Sequence, residues 1–489
     1  MDALTIAGGA LLAIYSMAAL FNFAYSINQV NLALLSRRKA IRTFGKKAPG
    51  FTPMVTIQLP VYNERYVVAR LIDCVCAMDW PAEKLQIQVL DDSTDDTVTI
   101  AAEKIEQWKS RGVNIIHERR RDRTGYKAGA LAAATPMASG EFIAIFDADF
   151  LPDADFLKQV IPWFNDDDVA VVQARWGHLN ADYSILTRLQ ALGLDTHFFV
   201  ENQGRAAGGH FLNFNGTAGV WRKCAIEDAG GWNHDTLTED LDLSYRAQLR
   251  GWKLCFLPGV VCMAELPVTM GAVKSQQYRW TKGAAESTRK LLSRVLRSPL
   301  PFRTKVHASF HLMNSVVFVC MMLLAVLSIP MLWLKYRFEM FDDWITLNGA
   351  LFVLTYFNLA FFYYFGYRAA NRNTHLLAFV PRYFLLICMA LGIAVHNTIA
   401  VIEGFAGRKT PFVRTPKFNI TQRGEAWKHI RYRAQFMNSV TLLEIAMLCY
   451  FLGGAWMSWC YGDITAIPFH LMQVTGFGLV LYLTAKIRG

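Results

Sequence analysis

In the stretch "AIFDADF", Ala144 to Phe150, two aspartates, Asp147 and Asp149, stand one residue apart at the end of an apolar run. On a strand, side chains at i and i+2 point the same way, so two like charges would face one spot and repel. A divalent cation relieves that repulsion, and hard carboxylate oxygens suit Mg²⁺ or Mn²⁺. Mg²⁺ commonly takes one or two carboxylates together with the phosphates of a substrate. Other groups able to do chemistry follow at intervals. Asp91 and Asp92 close a second apolar run, Thr238-Glu239-Asp240 precedes "LDLSYRAQLRGWK", and "QQYRW" ends at Trp280, shortly before a series of long apolar runs.

The elements that must carry these groups alternate. Strand candidates are "MVTIQLP", "IQVLDD", "VNIIHE", "FIAIFDAD" and "VAVVQAR", separated by helical patterns at 66–77, 95–110, 126–137 and 153–164. That alternation predicts a doubly wound α/β domain, a mostly parallel sheet with helices on both faces. Ligands of such sheets sit at the carboxyl ends of the strands, where "YNE", "DDSTDDT" and "DAD" fall. No GxGxxG or GxxxxGK[ST] follows any of these strands, which argues against a dinucleotide oxidoreductase and a P-loop NTPase.

The chain has 489 residues, of which 53% are hydrophobic, and a net charge of +11. That balance points to a membrane protein whose basic residues sit in cytoplasmic loops rather than on nucleic acid. Residues 3–36 hold no charged side chain and are followed by "RRKAIRTFGKK", the reverse of a signal peptide's order. They predict a first spanning helix, 1–36, with the N-terminus outside. A charged region, 37–303, follows as a cytosolic domain. Further apolar runs lie near 308–334, 344–367, 376–402, 438–460 and 464–485. The segment 403–435 is basic and so cytosolic; an even number of crossings must separate it from the soluble domain. The run at 376–402, with Pro381, Arg382 and His396, is therefore expected to be interfacial or re-entrant, so that 304–402 holds two spans and this segment. Residues 436–489 supply the last two spans, five in all; a sixth, with the basic segment outside, is the alternative. Glu444, early in the fourth span, is either functional or snorkels to the surface. The nine cysteines show no zinc spacing and are expected to be reduced.

The set Asp91 (with Asp92), Asp147-Ala-Asp149, Thr238-Glu239-Asp240 and Gln276-x-x-Arg279-Trp280, in this order, resembles the membrane-embedded family 2 glycosyltransferases, the cellulose, chitin and hyaluronan synthases. The single leading span and compact length look most like the cellulose-synthase-like mannan and glucan synthases and their bacterial relatives. The resemblance implies a GT-A type domain inserted between the helices of a membrane channel. It also implies a nucleotide-diphosphate sugar donor, UDP-glucose first and GDP-mannose close behind, with Mg²⁺ or Mn²⁺ as cofactor. "LPVYNE" implies that Tyr62 and Glu64 contact the base, and "TGYKAGAL" implicates Lys127. "FNGTAG" implies that Phe214, Asn215, Gly216 and Thr217 line the acceptor site. In "FVRTPKF", Phe412, Thr415 and Lys417 match the family's gating loop, with Arg414 where the family has valine.

In the chemistry that the resemblance implies, Asp149 holds the metal, and Asp147 orients the ribose or the metal shell. Asp91 and Asp92 bind base and ribose, while Arg279 and Lys127 stand at the phosphates. Asp240 is the general base for the acceptor hydroxyl, with Glu239, Gln276 and Trp280 around the acceptor sugar. A single displacement on an α-linked donor gives a β-linkage. The expected product is a growing β-glycan chain passed through the bilayer of an inner or plasma membrane. A non-processive enzyme making a glycolipid, or an inactive nucleotide-sugar-binding carrier, are the competing functions. Several residues have plainer readings: Asp95 and Asp96 as helix caps, Asp166 to Asp168 as a solvated turn, and Trp163, Trp176, Trp221, Trp232 and Trp252 as packing. His117 and His178 have no partner at ligand spacing and are expected to be ordinary.

Overall fold

The structure, a computed structural model, describes residues 3–38, 50–338, 341–371, 375–411, 413–420 and 439–486. A long apolar helix, α1 (Ala3–Leu35), leads into an α/β domain. Its strands are β1 (Val55–Val61), β2 (Leu85–Asp91), β3 (Ile115–Glu118), β4 (Phe142–Ile145), β5 (Phe150–Leu151), β6 (Val169–His178), β7 (Gly219–Arg222) and β8 (Lys253–Ala264). Between them lie α2 (Val68–Cys76), α3 (Thr97–Lys109), α4 (Tyr126–Ala134), α5 (Phe156–Val160), α6 (Ile185–Thr196), α7 (Gln203–Gly208), α8 (Lys223–Asp228) and α9 (Glu239–Leu249).

The strands form one sheet in the order β3-β2-β1-β4-β7-β6-β8-β5. The first four are parallel, as the alternation predicts. The other half is mixed: β7 runs antiparallel to both β4 and β6, and β5 antiparallel to β8, while β6 and β8 are parallel. The antiparallel insert had no sequence signal, because β7 is only four residues long and β8 contains Pro258-Gly259, where its register against β6 slips. The strand period of two sorts the core into two faces. Phe142 and Ala144 join Val55, Ile57, Leu71 and Val75 on one side, and Ile143 and Ile145 join Leu131, Trp221 and Leu243 on the other. The expected helix at 153–164 is only α5 followed by a 3₁₀ turn, Ile161–Trp163, cut short by Pro162.

An amphipathic helix, α10 (Met270–Arg297), leaves the domain and leads to α11 (Phe302–Leu312), α12 (Val316–Arg337), α13 (Asp342–Ala370), α14 (Leu376–Gly392), α15 (Ala394–Phe405), α16 (Ser439–Cys460) and α17 (Ile467–Ala485). Among the described residues five helices, α1, α11 continuing into α12, α13, α16 and α17, are long and apolar enough to cross a membrane, and α14 with α15 forms a pair bent by 51°. The α14–α17 contact is close because glycines face each other: a Cβ on Gly392 would sit 2.3 Å from the Gly476 carbonyl oxygen. Glu444 on α16 does not snorkel. It is fully buried, and Lys274 Nζ of α10 lies 2.7 Å away.

Candidate active site

Because β1, β2 and β4 are parallel, their carboxyl ends open onto one edge, and a cleft of about 210 Å³ lies there. Tyr62 and Glu64 follow β1, Asp92 follows β2, and Asp147 and Asp149 follow β4; all line the cleft. The two aspartates are not on the strand itself. β4 ends at Ile145, and a turn closed by Phe150 N donating to Asp147 O (3.0 Å) brings them to the opening. From across the sheet, Thr217 Oγ1 accepts the Asp147 N–H at 2.9 Å and fixes that turn to the loop before β7.

Each aspartate meets a cation. Lys127 Nζ donates to Asp147 Oδ1 at 2.5 Å and to the Gly216 carbonyl at 2.8 Å. Burial alone would depress the Lys127 ammonium, but Asp147 and Glu239 hold its pKa above the ordinary value. Lys417 Nζ lies 2.5 Å from Asp149 Oδ2. Glu239 and Asp240 open α9, where the positive end of the helix dipole favours carboxylates, and Asp240 Oδ1 accepts the Leu241 N–H at 2.8 Å. Burial first, then the adjacent Glu239 charge, pushes the Asp240 carboxyl up to about 7, and burial also raises Glu239. A carboxylate with that pKa suits a general base at neutral pH. Gly216 has a φ of 81°, and a Cβ there would come within 3.0 Å of Asp240 Oδ2, so only glycine leaves the carboxylate open.

Helix α10 presents Gln276, Arg279 and Trp280 to the same cleft. Arg279 Nη2 donates to Thr415 Oγ1 at 2.6 Å, so the segment expected from its motif to be a gating loop reaches into the cleft at Thr415. Glu265, at the end of β8, accepts from the backbone N–H groups of Phe418 and Asn419, both at 2.9 Å, and holds that insertion. At the far end, the Arg414 guanidinium, where the family motif has valine, lies 2.8 Å from Glu64 and donates to the Asn63 carbonyl. Burial still pushes the Glu64 carboxyl up to about 8 against the pull of Arg414. Arg123 lies over the Tyr62 ring, and Arg120 grips Asp92 through Nε (3.0 Å) and Nη2 (2.5 Å).

Three expected contact residues stand behind the cleft wall instead. Asp91 is buried, accepting from Ser93 N (2.8 Å) and paired with His117 Nε2 (2.9 Å), so His117 is not the partnerless histidine that its spacing suggested. His178 likewise meets Asp195 at 3.1 Å. Phe214 packs on Trp221 and Trp232 in the core, and Thr217 is turned to the Asp147 backbone. Asn215 and Gly216, from the same loop, do line the cleft, as does Trp176. Phe412 lies outside the described residues. Arg120, Arg123 and Glu265 were not foreseen, because no local pattern ties them to the partners that the fold supplies. Asp96 takes the N-cap position of α3 but makes no side-chain capping bond and faces Arg65, while Asp95, one residue earlier, accepts from Thr97 N at 3.0 Å.

The donor chemistry fits a divalent cation that completes its shell from a substrate. Among the described residues no three His, Cys, Asp or Glu converge on one point, yet both carboxylates of the turn draw an ammonium to 2.5 Å. Two hard carboxylates, open to a phosphate-bearing ligand, are the set Mg²⁺ and Mn²⁺ accept.

A family model described as "Glycosyltransferase like family 2" matches residues 52–283. The chain is 34% identical over 448 residues to glucomannan 4-beta-mannosyltransferase 1 of Oryza sativa subsp. japonica, covering 88% of this chain and 82% of the relative. It is 36% identical over 453 residues to the enzyme of the same name from Cyamopsis tetragonoloba, with the same coverage of 88% and 82%. The fold matches the mannosyltransferase PcManGT of Pyrobaculum calidifontis, solved with GDP-Man and Mn²⁺, with a TM-score of 0.51 at 21% identity, over 71% of this chain and 99% of that one. The sheet is thus of GT-A type with apolar helices flanking it, and the chain belongs to family 2 of the glycosyltransferases, as a membrane enzyme related to the glucomannan 4-β-mannosyltransferases.

Proposed function

We propose that the enzyme is a processive, inverting β-mannan synthase. It transfers mannosyl units from GDP-mannose to the 4-hydroxyl at the end of a growing chain and feeds that chain into its own membrane helices. UDP-glucose is the first expectation from sequence; the relatives' names, mannosyltransferases, favour mannose as the sugar transferred, and with it GDP-mannose as the donor. In this reading Tyr62, Glu64, Asp92 and Arg123 receive the base and ribose. Lys127, Arg279 and Lys417 face the diphosphate, whose growing negative charge they offset as it leaves. Asp147 and Asp149 would hold Mg²⁺ or Mn²⁺, which supplies Lewis-acid stabilisation of the leaving diphosphate. Asp240 takes the proton of the attacking hydroxyl, and one displacement turns an α-donor into a β-linkage. Thr415 and Lys417 close over the donor and exclude water.

The observation that carries processivity is the position of Trp280. It lines the catalytic cleft and also a second cavity of about 320 Å³ between the membrane helices. That cavity is walled by aromatic and amide side chains, among them Tyr25, Tyr356, Asn22, Asn314 and Gln473. Aromatic faces with spaced amides suit a sugar chain, which has apolar ring faces and hydroxyl edges. The test is to reconstitute the purified protein in vesicles and offer GDP-mannose, UDP-glucose and UDP-N-acetylglucosamine, each with Mn²⁺. The expected product is a polymer of mannose with 4-linked β-bonds, lost on addition of EDTA and protected inside the vesicles from added mannanase. An organic-soluble product of one or two sugars would overturn processivity, and incorporation from UDP-glucose alone would overturn the donor.

A further inference from the structure

Between α6 and α7 the helix takes a π-helical turn, His197–Asn202. Such turns insert one extra residue and are frequent at functional sites. Here the turn aims His197 at the loop that carries Asn215. His197 Nδ1 lies 2.7 Å from Glu201 Oε2, and His197 Nε2 lies 3.0 Å from Asn215 Nδ2. The other side of the Asn215 amide is fixed as well: its Oδ1 accepts from Asn213 Nδ2 at 3.0 Å, and its backbone N–H donates to Gln173 Oε1, also at 3.0 Å.

These contacts fix where the protons are. The Glu201 carboxylate can only accept, so His197 Nδ1 carries the hydrogen. The Asn215 Nδ2 group can only donate, so His197 Nε2 must offer its lone pair. Only the neutral Nδ1–H tautomer satisfies both. Burial would raise the Glu201 carboxyl, but the Arg205 guanidinium and hydrogen bonds from His197 and from Gln29 of α1 bring it down to about 2, so the carboxylate is ionised throughout the working range.

We propose that His197 and Glu201 are positioning residues for sugar transfer: they lock the Asn215 amide so that its remaining N–H points into the cleft as a hydrogen-bond donor to a hydroxyl of the acceptor sugar. The proposal rests on the reading of this cleft as a mannosyltransferase site. Asn215 lines the cleft beside Gly216 and Asp240, where the acceptor hydroxyl must arrive. With His197 removed, the amide keeps only the Asn213 bond on its Oδ1 and loses the contact that orients its Nδ2, so the acceptor loses one fixed contact while the donor site at Tyr62, Asp92 and Lys127 is untouched.

The test uses the full-length enzyme in lipid vesicles with GDP-mannose, Mn²⁺ and added β-1,4-mannotetraose. His197→Phe keeps the ring but removes the acceptor atom; His197→Gln keeps an oxygen able to accept from Asn215. We expect His197→Phe to raise the mannotetraose KM about tenfold or more, with the GDP-mannose KM and acceptor-free GDP release within about twofold of wild type. His197→Gln should recover most of the loss. In an Asn215→Ala background His197→Phe should add nothing. Independent losses that multiply, or an unchanged mannotetraose KM, would overturn the proposal. If wild type does not use GDP-mannose, the functional reading fails by itself, and the positioning claim is still decided by solid-state ¹⁵N spectra of histidine-labelled protein. The His197 signal, assigned by its loss in His197→Gln, should show a neutral Nδ1–H ring whose Nε2 resonance shifts in Asn215→Ala. A cationic ring, or an Nε2 resonance indifferent to Asn215→Ala, would sink it.

Discussion

At the scale of single residues, the catalytic assignment turns on one carboxyl whose environment differs from its neighbours'. Asp240 titrates near 7 because it is buried and shares the start of α9 with Glu239. A general base must be deprotonated, so kcat/KM should fall about tenfold per pH unit below about 7 and level off above it. Replacing Glu239 with glutamine removes the like charge that raises the base. The acidic limb should then move to lower pH, whatever happens to the maximal rate. Asp240→Asn should keep the fold and bind GDP-mannose normally in a titration, yet show no turnover, since an amide has no lone pair basic enough to take the proton. A pH profile indifferent to Glu239→Gln, or an active Asp240→Asn enzyme, would remove Asp240 from this role. The motif residues were legible because their spacing is fixed by local turns and helix starts: the Asp147–Phe150 turn and the first turn of α9 need only a few consecutive residues. His117, His197 and Arg120 were not, because their partners Asp91, Asn215 and Asp92 lie 18 to 28 residues away and are brought near only by the sheet.

At the scale of elements, α10 is the part that joins the two halves of the molecule, and its helical period divides the labour. Gln276, Arg279 and Trp280 face the cleft, whereas Lys274, Tyr278 and Lys282, spaced four apart, face the membrane helices. Lys274 pairs with Glu444 of α16, and both Tyr278 and Lys282 reach Glu403 at the end of α15. Lys282 also donates to Thr410 at 2.8 Å, at the root of the loop that enters the cleft. A buried charge stripped of its partner costs about 3–5 kcal/mol, whereas replacing both partners by apolar groups is often neutral. Glu444→Gln should therefore lower the thermal midpoint of the detergent-purified protein markedly, and Lys274→Met combined with Glu444→Leu should restore it. A single variant as stable as wild type would show that the pair is not buried. The loop itself gives a second prediction. Thr415 and Lys417 meet Arg279 and Asp149 inside the cleft, whereas Arg408 meets Glu403 on an exposed side and Lys409 the Asp235 carbonyl. Alanine at 415 and 417 together should cut synthesis tenfold or more, a loss of ~1.4 kcal/mol in the transition state, with folding intact. Alanine at 408 and 409 should do less, since exposed pairs contribute little. Equal losses from both pairs would leave the loop as an anchor rather than a gate. The apolar strands β1, β2 and β4 could be read from sequence because they are buried on both faces, whereas β7 and β8 are held by their place between β4, β6 and β5 rather than by pattern.

At the scale of the whole molecule, contacts across the helices predict which ends share a side of the membrane. The end of α1 is on the side of the catalytic domain, because Gln203 Nε2 donates to the Ser36 carbonyl at 3.0 Å. Its start is expected on the other side, with Leu12 packed among Met331, Leu334 and Phe341 where α12 gives way to α13. The end of α16 shares that far side: Lys335 pairs with Asp463 at 3.0 Å, and Tyr336 stacks on Tyr461. Residues 414–417 enter the catalytic cleft, and Glu403, near the end of α15, is held to α10 by Tyr278 and Lys282. If α12 and α13 each cross once between these points, α14 and α15 are expected to begin and end on one side. The bend between them does not lie flat at the surface. Gly392 packs on Gly476, midway along α17, and Val395 packs with Ala325 and Phe451, midway along α12 and α16. The bent pair is thus expected to dip to the middle of the bilayer and return, its non-helical break buried among helices where its backbone groups find partners. Single cysteines placed at 341 or 462 should react with an impermeant maleimide added to intact cells, and cysteines at 409 or 417 should not until the membrane is opened. Because all nine native cysteines are free, the background must first be cleared by substituting the exposed Cys224, Cys449 and Cys460. Labelling of position 409 from outside would mean that α14 and α15 cross together as a sixth span, and would separate the loop from the cleft it enters here.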